Sequence, residues 1–187
     1  MLSSGTRALG ADRTVRAQAF WKAVVEDRVD FLDRLIALLT DHGVRYCLVG
    51  GQAVNAYAEP VVSLDLDVVV AADQLPCVEA LLRGVFTVER FPHSLNASAL
   101  GSDLRVQIQT DARYAPFVDR ATIREVLGLS LPVAAVEDLL QGKLWAAMDA
   151  TRRPSKRQKD LADIARLLEA YPALRERVPA EVLDRLI

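Results

Sequence analysis

The stretch Leu64-Asp65-Leu66-Asp67-Val68-Val69-Val70 constrains this chain more than any other. Its valine-rich end favours a strand. On a strand, residues two apart point to one face, so Asp65 and Asp67 project side by side, roughly 7 Å apart along the backbone. Leu64, Leu66 and Val68 turn the other way, into a core. Two carboxylates held that close repel, and each raises the other's pKa. A divalent cation between them removes the conflict. Mg²⁺ or Mn²⁺ takes oxygen ligands, one or two carboxylates plus substrate phosphates. The alternative is an edge strand carrying two solvated aspartates; the low strand propensity of Asp argues against it.

Upstream, Arg45 to Val49 reads as a short strand, and Gly50-Gly51 breaks it into a short helix over Gln52–Ala58, stopped before Pro60. Such a turn lets backbone N–H groups converge on an anion, and glycine permits the close approach. A turn that simply needs positive φ explains two glycines equally well. The turn precedes Asp65 by fourteen residues, room for one short helix and a return. A phosphate cradle would then lie beside the aspartate strand.

The rest of the chain frames this segment. Residues 1–15 are small and polar and read as a flexible N-terminus. Phe20, Val24, Val25, Val29, Leu32, Leu35, Ile36 and Leu39 recur at helical spacing, ended by Asp41-His42-Gly43. Asp73–Arg83 reads as a helix with Asp73 as its N-cap. Val85–Arg90 and Leu95–Leu100 are weaker strands, and Leu104–Thr110 alternates cleanly, with Arg105, Gln107 and Gln109 on its polar face. Residues 112–135 mix short helix and short strand. Val136–Ala150 and Ser155–Tyr171 are helices. The expected architecture is α+β: a small mixed sheet in residues 16–135 with its leading helix, and a helical layer in 136–187 packed on it.

In the first tail helix, Val136, Leu139, Leu140, Leu144 and Ala147 form an apolar stripe with Lys143 at its centre. A lysine there must snorkel or meet an anion. In the second, Leu161, Ile164, Ala165 and Leu168 form the stripe, Asp160 lies at its edge and Asp163 on the more polar side. Asp160 is placed to pair with Lys143 or Arg157. Five basic residues fall between Arg152 and Lys159. They are either a solvated loop or an anion site, and cations at a helix N-terminus oppose the macrodipole.

Composition narrows the class. Of 187 residues, 51% are hydrophobic and the formal net charge is −2; that excludes global disorder and a nucleic-acid binder resting on overall positive charge. No apolar run reaches the roughly 18 residues a bilayer span needs. Arg7, Asp12, Arg13 and Arg16 argue against a secretory leader, and Cys47 and Cys77 form no ligand pattern, so a cytoplasmic setting is expected.

The ordered set of Gly50-Gly51, a short helix and Ser63-x-Asp65-x-Asp67 resembles the polymerase-beta type nucleotidyltransferase superfamily. More narrowly, the chain is similar to the minimal bacterial nucleotidyltransferases related to AbiEii toxins, whose tail block is matched by Val133–Lys143 and by Lys156-Arg-Gln-Lys-Asp160-Leu-Ala-Asp163. The resemblance spans about residues 33–170. It implies catalytic and metal-binding roles for Asp65 and Asp67. It implies substrate-binding roles for Gly50, Gly51, Ser63, Lys143, Arg157 and Asp160, and a nucleoside triphosphate substrate. The acceptor would be an RNA, protein or small-molecule hydroxyl, and a toxin–antitoxin partner is also implied; separately, the apolar stripe of the N-terminal helices fits either capping the sheet or forming a homodimer. Active members carry a third carboxylate on a later strand, where this chain has Gln107; Asp103 and Asp111 are each roughly 13 Å away along that strand. The arginine often found before the Ser-x-Asp-x-Asp segment is replaced by Val61-Val62. Three readings therefore stand: a nucleotidyltransferase, a catalytically impaired nucleotide-binding or regulatory module, and a plain scaffold.

Overall fold

The computed structural model describes residues 31–186. The expected helix positions Phe20, Val24, Val25 and Val29, and the expected flexible segment 1–15, lie outside them. Helix α1 covers residues 31–41 and buries Phe31, Leu32, Leu35 and Leu39. It ends as its sequence dictates. Gly43 takes φ +60°, its N–H donates to Thr40 O, and the Val44 N–H donates to Leu39 O, the Schellman pattern.

Seven strands follow: β1 Tyr46–Val49, β2 Asp65–Val70, β3 Thr87–Phe91, β4 Ser94–Ser98, β5 Arg105–Gln109, β6 Thr122–Val126 and β7 Leu129–Val133. They form one mixed sheet in the order β3-β4-β5-β2-β1-β7-β6. β2 runs antiparallel to β1 and parallel to β5, so the aspartate strand is central. Leu66 and Val68 are fully buried, as period-2 alternation requires.

Helices α2 (Gly50–Asn55), α3 (Leu75–Val85), α4 (Val136–Met148), α5 (Pro154–Ala170) and α6 (Ala180–Leu183) complete the chain with three 3₁₀ segments. α4 packs on both α2 and α5, and the 3₁₀ segment Ala112–Arg120 lies against β1 and β2. The helical tail is thus fixed to the sheet beside Asp67.

Two local expectations need correction. The short helix expected over Gln52–Ala58 takes in the glycines that open it and stops at Asn55. Asp73 does not cap α3: it lies within a 3₁₀ turn, Ala72–Gln74, and its carboxylate pairs with Arg45 at 3.5 Å. Pro76 in the first turn of α3 instead fits the position where no N–H is needed. Residues 112–135, expected to mix short helix and short strand, are a 3₁₀ segment plus a β-hairpin. The 3₁₀ period defeats both the helix and the strand pattern.

Candidate functional site

β1 delivers the chain to Gly50 directly beside Asp67, because Val49 and Asp67 are register partners. Gly50 has φ +70°, and a Cβ there would lie 1.9 Å from Asp67 Oδ2. Glycine is required twice over, by the backbone and by the carboxylate beneath it. Gly51 differs: a Cβ there would meet Ser63 Oγ at 3.6 Å and Lys159 Nζ at 3.8 Å, ordinary contact distances.

A cleft of about 390 Å³ opens over this turn. Its lining brings together Gly50, Gly51, Asp65, Asp67, Gln107, Lys143 and Asp160, seven positions singled out from sequence. Arg157 and Ser63 are not in the lining. The Ser63 carbonyl accepts from Gln52 Nε2 at 2.7 Å and its hydroxyl reaches Asp65 O at 3.4 Å, so Ser63 shapes the approach to β2. Gln107 lies opposite Asp67 in the β2–β5 register, which places a neutral amide beside that carboxylate.

The charges in the cleft sort by partner. Asp65 faces Arg105, its register partner, at 3.2 Å, with Lys156 at 4.0 Å. Asp138 is clamped by Arg120 through two bonds of 2.9 and 2.7 Å. Lys143 Nζ sits 3.1 Å from Asp160 Oδ1 and 2.6 Å from Asp163 Oδ2. Asp160 also binds Arg152 at 2.6 Å, and Asp163 binds Arg166 at 2.8 Å. The result is a buried chain, Arg152–Asp160–Lys143–Asp163–Arg166. Asp163, expected on the polar side of its helix, is only 2% exposed; its ion pairs let a carboxylate occupy the interface. Burial alone would pull the Lys143 ammonium down, but Asp163 and Asp160 outweigh it and hold its pKa above the ordinary lysine value.

Asp67 is the exception. Among the described residues no hydrogen bond or ion pair within 4 Å reaches its carboxylate. Burial pushes its pKa up and Asp65 adds to the shift, while Lys143, Lys159 and Lys156 oppose it. A half-buried carboxylate without a partner, next to a second carboxylate, is a donor pair that could hold a cation. No group of three or more His, Cys, Asp or Glu side chains suited to a metal occurs among the described residues. Any ion here would take two carboxylates and complete its shell from phosphate and water.

Sequence reasoning missed the wall opposite. Tyr114 and Phe117 line the cleft. Phe117 stacks on Trp145 at 5.9 Å and 14°, and Tyr114 meets Trp145 edge-on at 5.4 Å. Gly142 makes room, since a Cβ there would lie 3.1 Å from Tyr114 Cε1. The signal was two aromatics three apart, the 3₁₀ period. Cys47 lies in the core, and burial, then Asp138, pushes its thiol up to about 12, which makes it inert as a nucleophile at neutral pH.

The central sheet, the glycine turn at the end of β1 and the paired aspartates on β2 define a nucleotidyltransferase fold. The antibiotic-resistance factor ANT(2'')-Ia in complex with adenylyl-2''-tobramycin superposes with a TM-score of 0.61 at 14% identity, covering 86% of this chain and 99% of that one. The lincosamide antibiotic adenylyltransferase LnuA, lincomycin-bound, gives 0.50 at 14%, covering 73% and 95%. An antigenic nucleotidyltransferase-like protein from Paracoccidioides brasiliensis gives 0.50 at 19%, covering 78% and 76%. At these identities the likeness speaks to the fold alone. The family described as "Nucleotidyl transferase AbiEii toxin, Type IV TA system" matches residues 23–186, and the chain belongs to it. No curated protein sequence matches. No described helix is long and apolar enough to cross a membrane.

Proposed function

We propose that this protein transfers a nucleoside monophosphate from a nucleoside triphosphate to a hydroxyl acceptor at the Asp65–Asp67 cleft, as the toxin of a toxin–antitoxin pair. The observation that carries the reading is the unpartnered Asp67 carboxylate packed beneath Gly50. Asp65 and Asp67 would hold a Mg²⁺ or Mn²⁺ ion, which when bound supplies charge neutralisation to the triphosphate. The Gly50–Gly51 turn leaves phosphate oxygens free to approach the backbone. The acceptor hydroxyl gives its proton to solvent water as its oxygen forms a bond to the α-phosphorus, the bond to the bridging oxygen breaks, and pyrophosphate leaves. The aromatic wall and the fixed α4–α5 pair keep the site's shape. The family's description supports the toxin role and an antitoxin partner, and the fold neighbours include a lincosamide antibiotic adenylyltransferase and a protein in complex with adenylyl-2''-tobramycin.

A second reading rests on Gln107. A glutamine opposite Asp67 cannot take the hydroxyl's proton. The other cleft carboxylates, Asp138 and Asp160, are committed to Arg120 and to Lys143 with Arg152. On this reading the protein binds nucleotide and regulates. Incubation with α-labelled triphosphates, Mg²⁺ and RNA or protein acceptors separates the two. Transfer by wild type that disappears in the double variant Asp65→Asn/Asp67→Asn supports the enzyme. Transfer appearing only in Gln107→Asp supports the impaired module, robust wild-type transfer eliminates it, and none in any variant contradicts the enzyme.

A further inference from the structure

The cleft's cations fall into two groups. Lys143 and Arg152 are bound to buried aspartates, and Lys156 faces Asp65. Lys159 and Arg153 also line the cleft, both are exposed, and among the described residues neither has a carboxylate within 4 Å. Lys159 Nζ lies 3.8 Å from where a Cβ on Gly51 would sit, so its ammonium hangs over the glycine turn itself. The first turn of α5 carries no acidic residue, and Asp67 acts on Lys159 only from beyond 4 Å.

We propose that Lys159, assisted by Arg153, is the group that seats the terminal phosphates of a polyphosphate ligand over Gly51, and that Lys143 is a positioning residue committed to Asp160 and Asp163. This deepens the reading above and rests on it for the identity of the nucleotide, but not for the anion site. Lys143 Nζ has two carboxylate partners, at 3.1 and 2.6 Å. Two of its three N–H donors are engaged there, which ties the ammonium to α5. Among the described residues Lys159 has no carboxylate within 4 Å to give up. An exposed ammonium loses little on turning toward an anion, and three donors on a flexible stem suit a point contact with phosphate.

Calorimetric titration with inorganic tripolyphosphate, without metal, tests the site independently of any transfer. Wild type is expected to bind, and Lys159→Ala to bind about tenfold more weakly or worse, one charge-assisted contact being lost. Lys159→Arg should stay within about threefold of wild type, because the charge is kept. Arg175→Ala removes a charge from the exposed 3₁₀ segment Pro172–Arg177, outside the cleft lining, and should bind like wild type. Lys159 and Arg175 are exposed, so thermal melts should show all variants folded. The proposal is overturned if wild type binds no tripolyphosphate at millimolar concentration, if Lys159→Ala binds as wild type does, or if Arg175→Ala loses as much. A protein that binds tripolyphosphate through Lys159 yet transfers no label contradicts the transfer reading and upholds this one.

Discussion

A methyl group added at Gly50 would meet the Asp67 carboxylate at 1.9 Å, on a residue with φ +70°; at Gly51 the same methyl meets only ordinary contacts. Gly50→Ala is therefore expected to cost about 1–3 kcal/mol from backbone strain alone, and to move Asp67. Gly51→Ala should range from neutral to about 1 kcal/mol stabilising, by helix propensity. Urea denaturation of the two variants measures the contrast, and equal destabilisation would count against the turn geometry. Asp67 adds a second case. Its pKa is raised in the fold by burial, so its ionised form opposes folding. Stability it contributes is present at low pH and declines as pH rises through that raised value. Asp67→Asn should melt higher than wild type at neutral pH without metal, and the two should converge in acid. A lower melting temperature for Asp67→Asn at pH 7 would refute the strain. The sequence carried the pairing of these aspartates through simple alternation. It did not separate the two glycines, because their difference lies in what stands above each Cβ.

At the scale of elements, α4 and α5 are joined by ions as well as by Leu140, Leu144, Leu161 and Ile164. Lys143 sits between two aspartates whose outer oxygens belong to Arg152 and Arg166. Arg166 also donates to Asn55 Oδ1 at 2.7 Å and to Glu59 O, and Asn55 holds Val61 through paired bonds of 2.8 and 3.0 Å. One guanidinium thus ties the tail to the loop that feeds β2. Lys143→Met would leave two buried carboxylates with one cation each, and is expected to cost about 3–5 kcal/mol. Arg166→Ala should cost about 1–3 kcal/mol and raise hydrogen exchange across residues 56–64, far from the substitution in sequence. Exchange rates unchanged in that loop would show that Arg166 does not hold it. Periodicity found the apolar stripes and Lys143 on them. It misplaced Asp163, because apolar spacing is blind to a carboxylate buried by its own counter-ions. The cap assigned to Asp73 failed because α3 begins at Leu75 with Gln74 at its N-cap, which leaves Asp73 within the preceding 3₁₀ turn.

Across the whole molecule, the order β5-β2-β1 creates the site, and this ordering was not readable from any one segment. The alternation of Leu104–Thr110 put Gln107 on a polar face; only pairing with β2 sets it opposite Asp67. The tail block, read from its charged spacing, proved to line the same cleft through Lys143 and Asp160, while the 3₁₀ aromatics closing the other side carried no recognised period. The account stands on the proposal that the two neighbouring carboxylates of the cleft hold a cation and a phosphate chain together. Electron paramagnetic resonance of added Mn²⁺ examines that most directly, with and without a non-hydrolysable nucleoside triphosphate. Wild type is expected to bind Mn²⁺, and to bind it more tightly with the triphosphate present, while a folded Asp65→Asn/Asp67→Asn variant loses both effects. Binding that survives in the double variant, or no Mn²⁺ bound by wild type even with triphosphate, would contradict it.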